Sequence, residues 1–211
     1  MNKPFKPTVF IIDDDASIRK SLSRLLRSAD YTVETFPSAE EFLRREHFDG
    51  IGCLLLDVQM PGLSGTDLQE ELSRAAYSMP IIFITGHGNI PMSVQAMKKG
   101  AVNFLAKPFD DEELLQGVRE ALEKDRKAKA GRAEVHDALR CIEQLTPREQ
   151  EVLRYVITGM LNKQIASKLG IAEKTVKVHR GRVMEKLGVD SVAELVRLAE
   201  KAGIKPPKNR E

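Results

Sequence analysis

Residues 51–64 read IGCLLLDVQMPGLS, and this stretch indicates how the first half of the chain folds. An apolar run of strand length, Ile51–Leu56, is followed at once by Asp57 and then by a Pro-Gly turn. A continuous apolar run is typical of a strand buried on both faces, as in parallel sheets covered by helices. In such sheets ligands bind beyond the carboxyl ends of the strands, which is where Asp57 is expected to lie.

The same alternation of strand and helix recurs along residues 7–125, which we predict to form one domain. Further strands are predicted at residues 8–12, 31–35, 81–84 and 102–105, with amphipathic helices at 16–29, 39–45, 65–76 and 91–99 and another from residue 110. Parallel neighbours need crossover connections. Five such alternations therefore predict an α/β doubly wound five-stranded parallel sheet with helices on both faces.

The sequence becomes all-helical after Leu145. Thr146, Pro147 and Glu149 form the pattern of a capping box with proline at the first helical position. Helices are predicted at residues 147–158, 162–168, 173–187 and 191–202, so residues 141–204 should form an all-α four-helix domain. Residues 126–140, rich in Ala, Glu, Lys and Arg, are predicted as a helical or flexible linker, and no heptad pattern is sustained there. The tail 206–211 is expected to be disordered.

Charge is distributed unevenly along the chain. Residues 1–124 carry 14 basic and 19 acidic side chains, a net charge of −5, whereas residues 141–211 carry 14 basic and 9 acidic, a net charge of +5. A basic C-terminal part favours a polyanionic partner. No apolar run is long enough to cross a bilayer, no secretory leader is recognised, and two distant cysteines suggest reduced thiols, so we expect a cytoplasmic protein without a membrane partner.

Polar residues that can bind ions or take part in a reaction follow four of the predicted strands: Asp13, Asp14, Asp15, Asp57, Thr85 and Lys107. Sheet topology brings them to one edge. Crowded carboxylates repel one another unless a hard dication such as Mg²⁺ neutralises them. A carboxylate there can act as a nucleophile toward a phosphoryl group and form an aspartyl phosphate.

Each of these residues also has a plain structural interpretation. Asp15 is better explained as a helix cap, Thr85 could serve a turn, and Lys107 could be a solvated charge. As a set placed by topology, they favour function. We assign no role to His47, in a predicted loop, or to His87, in the loop after Thr85.

Residues 162–181, NKQIASKLGIAEKTVKVHRG, have the spacing of a helix-turn-helix. Ala166 is small where two helices cross, and Gly170 permits the turn. The following helix is expected to be basic on its outward side through Lys174, Lys177, Arg180 and Arg182. An ordinary helical hairpin with a solvated basic face is the structural alternative.

The motifs VFIIDDD, LLLDVQMPGLSG, FITGHGN and FLAKPF resemble those of response-regulator receiver domains. The resemblance implies the flavodoxin-like strand order 2-1-3-4-5. It also implies Asp57 as the phosphoacceptor, Asp13 and Asp14 as Mg²⁺ ligands, and Gln59 as a further ligand through its backbone carbonyl. Thr85 and Lys107 would be the switch hydroxyl and phosphate-binding lysine, with a cis Lys107–Pro108 bond, and Phe104 the switch aromatic.

The frame LTPREQEVLRYVITGMLNKQIASKLGIAEKTVKVHRGRVMEKLGV is similar to LuxR/GerE-type output domains, and the two halves together resemble the NarL/FixJ class, with the FixJ branch nearest. This implies a DNA-binding transcriptional regulator rather than an enzyme. Its expected partners are a sensor histidine kinase, double-stranded DNA, a second copy when phosphorylated and, as a further candidate, RNA polymerase. Expected DNA contacts are Lys174, Thr175, Lys177, Val178, His179, Arg180 and Arg182, and the expected dimer face contains Met92, Val94, Met97, Lys98 and Phe104.

Two other functions fit parts of the pattern. Asp13 and Asp15 after the first strand superficially resemble haloacid-dehalogenase phosphatases, in which Asp13 would be the nucleophile. That class needs a further acidic pair after a later strand, which this sequence lacks. Alternatively, the C-terminal helices could be a protein adaptor, and salt-dependent DNA binding would distinguish this from a regulator.

Overall fold

The computed structural model describes residues 6–75, 77–86 and 90–207, and the chain divides into two compact units between Ala128 and Lys129. The first unit contains a five-stranded parallel sheet in the order β2-β1-β3-β4-β5. Its strands are β1 (Thr8–Ile12), β2 (Thr32–Phe36), β3 (Gly52–Asp57), β4 (Ile81–Thr85) and β5 (Asn103–Ala106). The predicted sheet and strand order are confirmed.

Helices alternate with these strands: α1 (Ala16–Ser28), α2 (Ala39–Arg44), α3 (Gly65–Arg74) and α4 (Ile90–Lys98). The helix α5 (Asp111–Glu143) follows the last strand and covers the whole segment 126–140 that was predicted as linker. It continues through Gly131, although glycine costs a helix about 1 kcal/mol relative to alanine. Strong helix formers on both sides of Gly131 outweigh that cost.

Side chains of the strands alternate between two apolar layers, as the pleat of a strand requires. Phe10, Leu54 and Phe83 are fully buried in one layer, whereas Ile11, Leu55 and Ile82 are buried in the other. The first layer also contains residues of α2, α3 and α4, and the second contains residues of α1 and α5. With both faces covered, ligands reach this sheet at its edges.

The second unit contains four helices after α5: α6 (Pro147–Val156), α7 (Asn162–Leu169), α8 (Glu173–Leu187) and α9 (Val192–Lys201). The predicted capping box of α6 is present, with Glu149 N–H donating to Thr146 Oγ1 and Thr146 N–H donating to Glu149 Oε2. α6 ends two residues earlier than predicted. Gly170 and Gly188 end α7 and α8 in the left-handed region, at φ 64° and 62°, where glycine is favoured.

No helix among the described residues is both long enough and apolar enough to cross a membrane.

Candidate functional site

Three carboxylates meet at the carboxyl edge of the sheet. One oxygen from each of Asp13, Asp14 and Asp57 lies within 4.8 Å of the others. Asp13 is fully buried and Asp14 is exposed, so the cluster opens to solvent on one side. Oxygen donors at this density fit a hard dication.

Lys107 joins this cluster from the loop after β5. Its Nζ donates to Asp13 Oδ2 at 2.8 Å and lies 3.6 Å from Asp57 Oδ2. The backbone N–H of Lys107 donates to Thr85 O at 2.7 Å, which fixes the start of the loop against β4. The Lys107–Pro108 peptide is cis, as the resemblance implied.

The surroundings of Asp57 shift the pKa of its carboxyl in both directions. Burial raises the pKa of its carboxyl above the usual value, the Lys107 ammonium lowers it and the Asp13 carboxylate raises it again. Backbone N–H groups of Gln59 and Val58 favour the charged form. The Gln59 side chain itself is exposed.

The loop after Asp57 is held closely against the strand end. A Cβ atom on Gly65 would lie 2.2 Å from the backbone oxygen of Asp57, so this position requires glycine. The Gly65 N–H donates to Val58 O at 3.0 Å, and Glu40 Oε1 accepts from Leu63 N–H at 3.0 Å. The phosphoacceptor candidate therefore lies on a well-fixed turn.

Two predicted switch residues lie on adjacent strands. Thr85 is fully buried at the end of β4, in register with Ala106 of β5. Phe104 is half-buried and packs on Phe83, with ring centroids 6.3 Å apart. The aromatic ring is thus in contact with the layer that also contains residues of α4.

Asp15 is a helix cap, as expected, because its Oδ1 accepts from Ser17 N–H at 2.7 Å. His47 is a largely exposed loop residue whose Nε2 lies 3.0 Å from Asp49 Oδ1, and no chemical role follows from that contact. His87 and residues 208–211 lie outside the described residues.

The expected dimer face lies on α4. Val94 and Met97 are 44% and 45% exposed, so α4 presents two large apolar side chains to solvent, one turn apart. Lys98 is exposed beside them and Met92 is half-buried.

Helices α7 and α8 form the predicted helix-turn-helix, packed through buried Ile165, Ala166 and Val176. Most of the expected DNA contacts are exposed on α8: Lys174, Thr175, Lys177, Val178 and Arg182. Val178 is 45% exposed, so an apolar side chain is available on a basic surface.

Arg180 and His179 differ from the rest of that set. Arg180 lies four residues after Val176 and three before Val183, both fully buried, so it is on the core-facing stripe and half-buried, not on the outward side. Its Nη1 donates to Asn162 Oδ1 at 3.1 Å. His179 is also half-buried. The expectation that Arg180 lies on the outward side overlooked its spacing from Val176 and Val183, which places it on the buried stripe.

Comparison with known families matches both halves of the chain. Residues 9–119 match the response regulator receiver domain, and residues 143–199 match the luxR family of bacterial regulatory proteins.

Similar proteins span nearly the whole length. Nodulation protein W of Bradyrhizobium diazoefficiens is 51% identical over 199 residues, which is 94% of this chain and 88% of that protein. The transcriptional regulatory protein FixJ of the same organism is 40% identical over 94% of this chain and 97% of its own. The structure of the response regulator StyR has a TM-score of 0.84 and 50% identity, covering 93% of this chain and 99% of its own.

A parallel sheet with an acidic edge, followed by a helix-turn-helix, defines the response regulators that control transcription. This chain belongs to that family, and within it to the NarL/FixJ class. It is therefore a phosphorylation-dependent transcriptional regulator and not an enzyme, with a histidine kinase and DNA as partners. The phosphatase and adaptor alternatives are set aside.

Several residues that shape the site were not found from the sequence. Arg19 donates from Nη1 to the backbone oxygen of Asp13 at 2.6 Å, and Glu40 holds the loop after β3. Gly65 had a signal in the PGLSG motif. Arg19 and Glu40 had none, because their partners are brought together by the tertiary fold.

Proposed function

We propose that Asp57 is the phosphoacceptor and that its phosphorylation controls DNA binding by α8. The observation that carries this assignment is the unequal engagement of the three acids. Asp13 is fully buried, accepts from Lys107 at 2.8 Å and accepts from Asp15 N–H at 2.9 Å. Asp57 ends its strand with the ammonium 3.6 Å away and with its side chain 11% exposed, against 0% for Asp13, so its carboxylate is the more accessible of the two.

The reaction requires a nucleophilic carboxylate. An Asp57 oxygen forms a bond to phosphorus while the phosphorus–nitrogen bond of a kinase phosphohistidine breaks, and the released imidazole retains the electron pair. Lys107 and the Thr85 hydroxyl then contact phosphoryl oxygens. Phe104 repacks inward as Thr85 moves.

We assign a Mg²⁺ site to the carboxylates of Asp13, Asp14 and Asp57 and the backbone carbonyl of Gln59. The donor set supports this, because three carboxylates share one nearby ammonium and are left with surplus negative charge. When bound, Mg²⁺ would offset negative charge on the phosphoryl oxygens.

Phosphorylation is proposed to create a dimer through the α4 face of Met92, Val94, Met97 and Lys98. Two α8 helices then enter successive major grooves. Lys177 and Val178 are assigned to base edges, with Lys174, Thr175, His179, Arg180 and Arg182 nearer the backbone.

We place the protein in the cytoplasm, where RNA polymerase is a further proposed partner at promoters. Residues 7–125 and 141–204 are proposed as the two functional domains.

The test is phosphorylation of full-length protein by acetyl phosphate and Mg²⁺, followed by intact mass and by DNA binding. One added phosphoryl group is expected, with tighter binding to duplex DNA. Asp57→Asn should abolish both, and Asp13→Asn should keep a residual mass shift. A shift that survives in the Asp57 variant and vanishes in the Asp13 variant would contradict the assignment.

A further inference from the structure

The basic residues of the second unit differ in how their charge is compensated. Lys186 Nζ lies 2.7 Å from Glu149 Oε2, Arg148 pairs with Glu151 at 2.6 Å, and Lys201 pairs with Glu134 at 2.6 Å. These are cation–carboxylate pairs, which neutralise the positive charge within the protein.

Arg180 is fixed in a different way. It is half-buried on the core-facing stripe of α8, where an arginine loses hydration and needs a hydrogen-bond partner. That partner is the neutral amide oxygen of Asn162, at 3.1 Å. Among residues 90–207, no carboxylate forms an ion pair with Arg180. Its guanidinium is thus held in place while its positive charge remains uncompensated.

The location of the pair suits an external anion. Asn162 is the first residue of α7, and the exposed Lys163 follows it. The pair therefore lies at the border between α7 and α8, beside the exposed Lys177 of the proposed recognition surface. A guanidinium offers five donors in a planar fork, so one bond to Asn162 leaves others for phosphate oxygens.

We propose that Asn162 is a positioning residue, which holds Arg180 for a DNA backbone phosphate at the edge of the major groove entered by α8. This inference rests on the proposed DNA binding and adds a residue to it. Asn162 acts through Arg180: an amide orients the guanidinium without neutralising it, as a carboxylate would.

The test is a double-mutant cycle on the full-length protein activated with beryllofluoride. The probe is a mixed-sequence duplex about three helical turns long, titrated over a range of salt concentrations. Arg180→Ala should lower the dependence of log affinity on log salt by about one unit. Asn162→Ala should weaken binding about threefold to tenfold, which lies within the range for coupled contacting residues, and should have no further effect in the Arg180→Ala background.

Arg180→Gln separates charge from packing, because glutamine keeps a donor for Asn162 but carries no charge. It should lower the salt dependence like alanine while leaving the melting temperature near that of the wild type. Asn162→Ala combined with Arg182→Ala is the matched control, in which the two effects should multiply.

Equal effects of Asn162→Ala with and without Arg180 would overturn the positioning role. An unchanged salt dependence in Arg180→Gln would do so as well, and would make Arg180 a structural residue. If the activated wild-type protein bound no duplex even at low salt, the proposed DNA binding itself would fail. That outcome differs from one in which the wild type binds duplex DNA and both variants bind it equally well, which would overturn only the role of Asn162 and Arg180.

Discussion

The ammonium of Lys107 donates to Asp13 at 2.8 Å, and this bond uses one of the three donors of the lysine that is expected to contact a phosphoryl group. Asp13 is fully buried, so the pair lies in a medium of low dielectric. Because two donors remain and Asp57 Oδ2 is only 3.6 Å away, Lys107 can contact a phosphoryl group on Asp57 while it still holds Asp13.

Removing Lys107 should have opposite effects on stability and on metal affinity. Lys107→Ala leaves buried Asp13 without its cationic hydrogen-bond donor, so we expect the free energy of unfolding without Mg²⁺ to fall by about 1–3 kcal/mol. The more negative cluster should bind Mg²⁺ about tenfold more tightly. Chemical denaturation with and without Mg²⁺ measures both the stability and the metal affinity. Because the variant binds Mg²⁺ more tightly, the ion should reduce the difference in the free energy of unfolding between variant and wild type. Lys20→Ala, an exposed lysine of α1, is the control and should change neither quantity. An equal loss of stability with and without Mg²⁺ would contradict this account.

Activation should produce a dimer that depends on α4. Because Val94 and Met97 expose apolar surface, Val94→Ser combined with Met97→Ser should leave the beryllofluoride-treated protein monomeric in sedimentation experiments, whereas the treated wild type shifts toward twice the mass. Leu43→Ser is the matched control, because Leu43 is 40% exposed on α2, which follows the strand at the opposite edge of the sheet. Dimerisation that survives the double substitution would move the interface elsewhere.

The two kinds of DNA contact should separate by mutation. Lys177→Ala should cost about 1–3 kcal/mol on the preferred sequence and reduce discrimination against a scrambled duplex. Arg182→Ala should weaken both duplexes alike and lower the salt dependence by about one unit. Fluorescence anisotropy with duplexes selected from genomic fragments measures these effects. If both variants lost affinity equally on both duplexes, Lys177 would be a backbone contact.

Acid should destabilise the second unit through Glu149. The hydrogen bond from Lys186, followed by that from the Thr146 N–H, lowers the pKa of this carboxyl from 4.5 to about 2. A lowered pKa in the folded state gives stability that is present above pH 4.5 and is lost as the pH falls toward 2. Glu149→Gln should therefore be less stable than wild type by about 1–3 kcal/mol at neutral pH.

The difference should disappear toward pH 2, where Glu149 becomes protonated. The measurement is chemical denaturation of the fragment 129–211, monitored by circular dichroism at a series of pH values from neutral down to this acidic range. Glu151→Gln is the control, because Glu151 is exposed and its loss should matter little at any pH. A constant gap between Glu149→Gln and wild type at all pH values would show that packing, not charge, explains the effect.

The sequence was sufficient for elements whose ends carry strong local signals. Helix α8 begins at Glu173 and ends at Leu187 as predicted, because Gly188 stops it in the left-handed region. Strand β2 was predicted one residue early, since it lies at the sheet edge with one buried residue and so has little apolar pattern. Residues 126–140 were predicted as a helical or flexible linker, and α5 runs through all of them because strong helix formers lie on both sides of Gly131.

The site was predictable to the level of residue types and sheet edge. The carboxyl ends of parallel strands lie at one edge of a sheet. Acidic residues that follow those strands are therefore close together, and the cluster of Asp13, Asp14 and Asp57 could be predicted from topology. The preference of Lys107 for Asp13 did not, because it depends on differences of less than 1 Å between two carboxylates. The Asn162–Arg180 contact was hidden for a related reason, since it joins residues 18 positions apart on different helices.

Strand β3 is anchored at both ends. At its start, Gly52 N–H donates to buried Asp125 Oδ2 of α5 at 2.9 Å, and at its end Asp57 is in close contact with Gly65. A strand fixed in this way should have amide protons that exchange with solvent only when the whole unit unfolds. The phosphorylated residue would then keep its position when it is modified. The conformational change on phosphorylation is therefore expected in the surrounding loops and neighbouring strands, and not in β3 itself.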